Sequence, residues 1–217
     1  MSPPVVGVVG ASARAAVGSL LRAGFAAWAV DLFADRDLRR TTPCARCPAD
    51  DYPDALPRLA DAFPPGPVLY TGGLENRPDV VRELAARRPL WGNPPEVLEQ
   101  VRDPFRLTAA LSEAGFRAPR VLPSGPAPPG RWLRKPVHSA GGHGIRFAGP
   151  HDGPSAGHYL QEFVDGPAMS AVFASTGTKC VLLGVTEQLV GEPWLHAPPF
   201  RYTGSVGPPA IDRDLAA

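Results

Sequence analysis

The chain has 217 residues, 44% of them hydrophobic and 20% charged, with a formal net charge of +1. That length is enough for one large or two small domains with real cores. A near-neutral balance gives no electrostatic basis for nucleic acid or an anionic membrane as partner, and no apolar run approaches the ~20 residues of a membrane span.

The first residues, Met1-Ser-Pro-Pro-Val-Val6, lack the basic segment and cleavage site of a secretory signal, so a cytoplasmic protein is expected. Three cysteines do not make a disulfide framework. Cys44-Ala-Arg-Cys47 has the spacing of half a zinc site or of a redox pair. With no second Cys-x-x-Cys to complete it, a loop with two reduced thiols is the favoured reading.

Val5-Val-Gly-Val-Val9 is a continuous apolar run, as in a strand buried on both faces. Ala16, Val17, Leu20 and Leu21 then recur at helical spacing, and Gly24 stands where a helix-ending glycine belongs. Phe25 to Val30 reads as a second strand ending in Asp31, which completes a βαβ unit with a parallel sheet. Asp31 falls about where a ribose-binding acid would sit in a dinucleotide fold. Gly-x-Gly-x-x-Gly is incomplete, however, because Gly7 lies inside the strand and Ala13 takes the later position. An NAD(P)-binding protein and a plain strand–helix turn both fit.

Leu32 to Pro48 is a polar, arginine-bearing connection. Tyr52 to Phe63 has helical spacing interrupted by Pro57. Val68-Leu-Tyr70 is a short strand, followed by Thr71-Gly-Gly-Leu-Glu-Asn76 at the edge where open α/β sheets take ligands. Pro78 opens a helix with Val80, Val81, Leu84 and Ala85 inward, and Leu90-Trp91 is the next strand. Asn93 to Arg102 and Asp103 to Ala114 read as two helices, the second with Leu107, Ala110, Leu111 and Ala114 on one face and Gly115 as its stop.

Trp132-Leu-Arg-Lys-Pro136 runs as a strand into a loop holding Gly141, Gly142 and Gly144. Glycines remove Cβ atoms where backbone bends sharply or lies against a ligand. The bare N–H groups of such a turn form an anion site that Lys135 would complete. An ordinary glycine-rich hairpin reads equally well, and the loop is not a Walker motif. Met169 to Phe173 and Cys180 to Val185 read as adjacent antiparallel strands joined around Gly177. Gly191 to Pro209 is loop-rich.

Two of these segments together resemble the ATP-grasp superfamily: a strand ending in Lys135-Pro136 with its glycine loop, then Gln161-Glu162-Phe-Val-Asp-Gly166 leading into another strand. The resemblance implies a Rossmann-like pre-ATP-grasp domain over residues 1–93 and a partial ATP-grasp domain over 94–217, α/β in the first half and α+β in the second. It implies ATP as ligand. Lys135 with Gly141, Gly142, His143 and Gly144 would hold the phosphates. The hinge Gln161, Glu162, Phe163 and Val164 would hold adenine, chiefly through backbone groups of Gln161 and Val164. Arg201, in a Phe-x-Tyr-x-Gly passage, is the candidate for stabilising a transferring phosphoryl group.

The implied activity is ATP-dependent activation of a small carboxylate as an acyl phosphate for attack by an amine or similar nucleophile; a homodimer is compatible with it. The sequence also departs from the family's pattern. Pro104 follows Asp103 where a phosphate-binding Lys or Arg is usual, with Arg102 and Arg106 as substitutes, and Ala168 replaces a carboxylate that often binds ribose. The Glu-x-Asn strand that holds Mg²⁺ in this family has no match after Val172; Glu187, Glu192, Asp212 and Asp214 lack the strand context. The chain is therefore expected to be either a fragment of an ATP-grasp ligase or a nucleotide-binding protein without turnover, with no metal ligands of its own.

Overall fold

A computed structural model describes residues 4–123, 126–149, 152 and 156–209. The chain divides into two compact units, Met1–Leu107 and Thr108–Ala217.

The first unit is built on a parallel sheet. β1 (Val5–Gly10) leads through α1 (Arg14–Arg22) to β2 (Ala26–Asp31), then α2 (Arg36–Thr41) and β3 (Cys44–Arg46). After α3 (Leu56–Ala60) come β4 (Val68–Tyr70), α4 (Pro78–Arg87) and α5 (Pro95–Arg102). The strand order is β3-β2-β1-β4, all pairs parallel. Leu90 adds a single parallel bridge to Val68 in place of the expected strand.

Alternate residues of β1 and β2 feed two cores, one on each face of the sheet. Val6, Val8, Ala27 and Ala29 pack with Val17, Leu20 and Leu38 under α1 and α2. Val9, Trp28 and Val30 pack with Leu56, Val81, Leu84 and Leu98 under α3, α4 and α5. Burying side chains of this size stabilises by about 1.5–3 kcal/mol each, so the two layers hold the sheet together.

The same alternation disposes of the Cys-x-x-Cys spacing. Cys44 packs with the first layer and Cys47 with the second, and burial raises both thiols above their usual range. Two thiols on opposite faces of a sheet cannot share a metal ion.

The incomplete glycine fingerprint has a packing cause. A Cβ at Gly7 would lie 2.2 Å from the Trp28 ring on the neighbouring strand. Gly7 therefore makes room for Trp28, which stacks on Phe63 at 4.7 Å and lies under the Arg88 guanidinium. Asp31 is fully buried, and its carboxylate accepts N–H bonds from Ala13 (2.5 Å), Phe33 (2.8 Å) and Ala34 (2.7 Å). It ties the start of α1 to the end of β2 and has no surface to offer a ribose, which removes the basis of the NAD(P) reading.

Four local expectations change. The connection from Leu32 holds α2 and β3, whose single buried apolar residue on the helix, Leu38, leaves no periodic signal. The Tyr52–Phe63 helix shortens to α3, with Pro57 in its first turn. Ala85 is exposed on α4. Asn76, in the segment read as the ligand edge of the sheet, accepts a hydrogen bond from Arg102, and Arg106 pairs with Asp103, so each of these groups is committed within the first unit. Asp103 also accepts the N–H groups of Phe105 and Arg106, which caps α6 (Pro104–Glu113). Capping gives Asp103 a structural role and lets Pro104 occupy the first helical position without losing a bond.

The second unit has two antiparallel sheets. β5 (Val121–Leu122), β6 (Trp132–Pro136), β7 (Arg146–Phe147) and β8 (His158–Glu162) form one, in the order β5-β8-β6-β7. β9 (Met169–Ser175), β10 (Cys180–Val190) and β11 (Tyr202–Val206) form the other, in the order β11-β10-β9. β11 lies inside the stretch read as loop, where prolines and Gly204 mask its alternation. No helix among the described residues is long and apolar enough to cross a membrane.

Candidate nucleotide-binding cleft

β6 and β8 pair antiparallel with Leu133 opposite Gln161 and Lys135 opposite Tyr159. Cross-strand partners share a face, so these four side chains point one way while Arg134 and Glu162 point the other. On the first face the Lys135 ammonium donates to Gln161 Oε1 at 3.0 Å and lies 5.8 Å from the Tyr159 ring centre. An amide oxygen thereby holds the cation at the end of the strand, where the glycine loop begins.

The loop folds against the Pro198–Tyr202 passage. Tyr202 N–H donates to Gly141 O at 3.1 Å, and a Cβ at Gly142 would lie 1.8 Å from the Phe200 carbonyl oxygen. Gly142 also has φ of +76°, in the left-handed region that L side chains avoid. Gly141, at φ +59°, faces open space. Gly142→Ala should therefore pry the loop off Phe200 and weaken nucleotide binding by about tenfold, whereas Gly141→Ala should cost only the ~1–2 kcal/mol of a left-handed alanine. Paired titrations of the two variants read this difference.

A cleft of about 600 Å³ lies between the two sheets of this unit. Leu133, Lys135 and Gln161 line one side, and Ala168, Gln188 and Val190 the other; Gly141, Gly142 and Ile145 of the loop, with Phe200 and Tyr202, close it. Of the residues chosen from the sequence, Lys135, Gly141, Gly142 and Gln161 come together here. His143 and Arg201 meet each other through the imidazole Nε2 and the guanidinium, outside the lining. Gly144 packs toward Pro136.

The hinge divides by side chain. Glu162 lies on the opposite face of β8, where Arg120 takes both carboxylate oxygens and, with its own N–H, holds the acid below its usual range. Phe163 joins Phe147 at 5.2 Å with Arg131 stacked 4.0 Å above it. Its N–H donates to Arg131 O, and the Glu162 N–H to Arg120 O. Val164 is 65% exposed, and among the described residues its N–H has no hydrogen-bond acceptor.

Sequence reasoning chose Arg201 from its passage and passed over the neighbours that line the cleft, Phe200 and Tyr202. Period-two alternation marks Tyr202, the first residue of β11, but not Phe200, which sits in a turn at φ +65°. The same period-two pattern on β10 would have found Gln188 and Val190.

Residues 101–215 match the family model described as ATP-grasp domain, more than half of the chain. The chain belongs to the ATP-grasp family. Among solved structures it resembles N5-carboxyaminoimidazole synthetase from Staphylococcus aureus in its ADP complex, with a TM-score of 0.70 at 12% identity, covering 98% of this chain and 60% of that one. L-amino acid ligase from Bacillus licheniformis gives 0.70 at 14% identity, covering 100% and 57%. A protein from Archaeoglobus fulgidus described as of the ATP-grasp superfamily gives 0.67 at 15%, covering 98% and 68%. At these identities the likeness is one of fold, and the ATP-grasp chain here spans roughly three fifths of the length of those relatives. No curated protein matches it by sequence.

Mg²⁺ is the metal that the ATP-grasp resemblance implies, and the described residues offer it no ligand set. Among the described residues no group of three His, Cys, Asp or Glu side chains is placed to hold a metal ion, and no carboxylate lines the cleft. Asp212 and Asp214 lie outside the described residues.

Proposed function

We propose that this cleft binds ATP, with the phosphates at Lys135 and the N–H groups of the Gly141–Gly144 loop, and with adenine along the Gln161–Val164 hinge. The observation that carries this reading is the meeting of Lys135, Gly141, Gly142 and Gln161 on one cleft of about 600 Å³, a volume in the range of small-molecule sites. Glycines at positive φ leave backbone N–H groups bare for anionic oxygens. The exposed Val164 N–H is a donor that a purine ring nitrogen can use.

The reaction we assign is the ligase-type one. A carboxylate oxygen attacks the γ-phosphorus, the bond to ADP breaks, and an amine then displaces inorganic phosphate from the acyl phosphate. This chain's residues position the triphosphate and balance its charge; no step is routed through a metal. Residues 1–93 serve as the pre-ATP-grasp domain in this reading. The names of two relatives, a synthetase and an amino acid ligase, support carbon–nitrogen bond formation as the class.

A second reading, nucleotide binding without turnover, is favoured by the absence of carboxylates from the described lining. Isothermal titration with ADP and ATP tests the common core. Saturable binding at a one-to-one ratio is expected; the absence of binding heat or thermal stabilisation at millimolar nucleotide would defeat both readings. Release of phosphate in the presence of a carboxylate and an amine separates them.

A further inference from the structure

We infer that Phe147 is a positioning residue of the nucleotide site: its ring ties the hinge to the glycine loop and fixes the span that a nucleotide must bridge. The inference rests on the nucleotide reading above and names what holds the two ends of that site in register.

Phe147 stands on β7 opposite Leu133 of β6, and Leu133 stands opposite Gln161 of β8. Cross-strand partners share a face, so the ring rises from the face that carries Lys135 and Gln161. There it meets two other rings. Phe163 of the hinge lies at 5.2 Å between centroids, tilted by 59°. Phe200 also lies at 5.2 Å, edge-on at 72°. Aromatic pairs attract at such spacings and angles. Arg131 covers the Phe163 and Phe147 rings, at 4.0 and 5.0 Å, and Asp165 holds its guanidinium at 2.7 Å. Phe147 is itself 44% exposed, so its role is not to fill the core.

The two partners of Phe147 belong to opposite ends of the proposed site. Phe163 precedes Val164 in the hinge, and its own N–H is fixed on Arg131 O at 2.9 Å. Phe200 sets its carbonyl oxygen where a Gly142 Cβ would lie, and Tyr202 donates its N–H to Gly141 O at 3.1 Å. Phe200 also sits at φ +65°, a left-handed conformation that suits glycine and strains a bulky residue. Such strain persists where surrounding contacts over-determine it. A glycine would relieve the backbone but give up the ring's contact with Phe147.

A ligand that touches hinge and loop at once gains from their fixed spacing, because its second contact forms at high effective concentration. The gain fades when the two ends are no longer held in place before binding. A ligand confined to one end gains nothing from the spacing. Removing the Phe147 ring therefore acts against bridging ligands alone.

The test uses the full chain as wild type, Phe147→Ala and Phe147→Tyr. Each is titrated with ADP by calorimetry, and with adenosine or inorganic tripolyphosphate at millimolar concentration by thermal shift. Phe147→Ala is expected to weaken ADP by about tenfold and to leave the stabilisation by adenosine and by tripolyphosphate as in the wild type, while Phe147→Tyr, which keeps the ring, retains ADP affinity. Amide hydrogen exchange reads the same link without ligand. In Phe147→Ala the Tyr202 N–H should exchange about tenfold faster while the β6–β8 ladder keeps its protection. Unchanged ADP affinity in Phe147→Ala, an equal loss for all three ligands, or unchanged exchange at Tyr202 would overturn the positioning role and leave the nucleotide reading standing. No ADP binding by the wild type would overturn both.

Discussion

Lys135→Ala is expected to weaken ADP binding by about tenfold to a hundredfold while leaving the fold intact. A hydrogen bond to a charged group contributes about 1.5–3 kcal/mol, and each 1.4 kcal/mol is a factor of ten in affinity. Two consequences add in the same direction. The phosphates lose the one fixed cation on the described lining, and Gln161 Oε1 loses a donor that holds its side chain at the cleft wall. Lys135→Arg keeps the charge but exchanges a compact ammonium for a planar fork, so it should recover part of the affinity. Calorimetry on the three proteins, with circular dichroism to confirm that each is folded, reads the series. Unchanged affinity in the alanine variant would remove Lys135 from the site and with it the phosphate end of the proposed binding mode.

Lys135 was readable in the sequence because it precedes a dense glycine loop and because a second motif followed in order. The doubly layered parallel sheet was readable for a related reason. Val5–Val9 and Phe25–Val30 are continuous apolar runs, and a run buried on both faces leaves little else for them to be. What escaped the sequence depended on orientation. Of the residues chosen, Glu162 is sent to Arg120 by strand alternation, Arg201 meets His143 after the turn at Phe200, and Phe163 joins the Phe147 ring. β11 was hidden by flanking prolines. α2 and β3 were hidden by shortness, since six and three residues carry too few apolar positions to show a period. Gly7 could be misread as part of a phosphate fingerprint because its cause, the Trp28 ring, comes from another strand.

Asp31 gives the largest expected effect on stability. Its buried carboxylate serves three backbone N–H groups, from Ala13 on one oxygen and from Phe33 and Ala34 on the other. Asp31→Ala strands all three donors beneath the sheet edge, and each buried unsatisfied group costs about 1–3 kcal/mol; a loss of roughly 3–5 kcal/mol follows once partial relaxation is allowed for. Asp31→Asn is the sharper probe because it keeps the size. One oxygen survives for Phe33 and Ala34, but an NH₂ group then faces the Ala13 N–H, donor against donor, and about 2–3 kcal/mol should be lost. Urea denaturation monitored at the tryptophans measures both, since Trp28 lies in the same sheet as Asp31. The contrary result would be an asparagine variant of unchanged stability that no longer binds a dinucleotide. That pairing would mean that Asp31 serves a ribose and not the chain, and it would return the first unit to the NAD(P) reading. A carboxylate with no exposed surface and every oxygen engaged by backbone is physically suited to the opposite outcome, in which the N-terminal sheet loosens while the Lys135 cleft keeps its nucleotide.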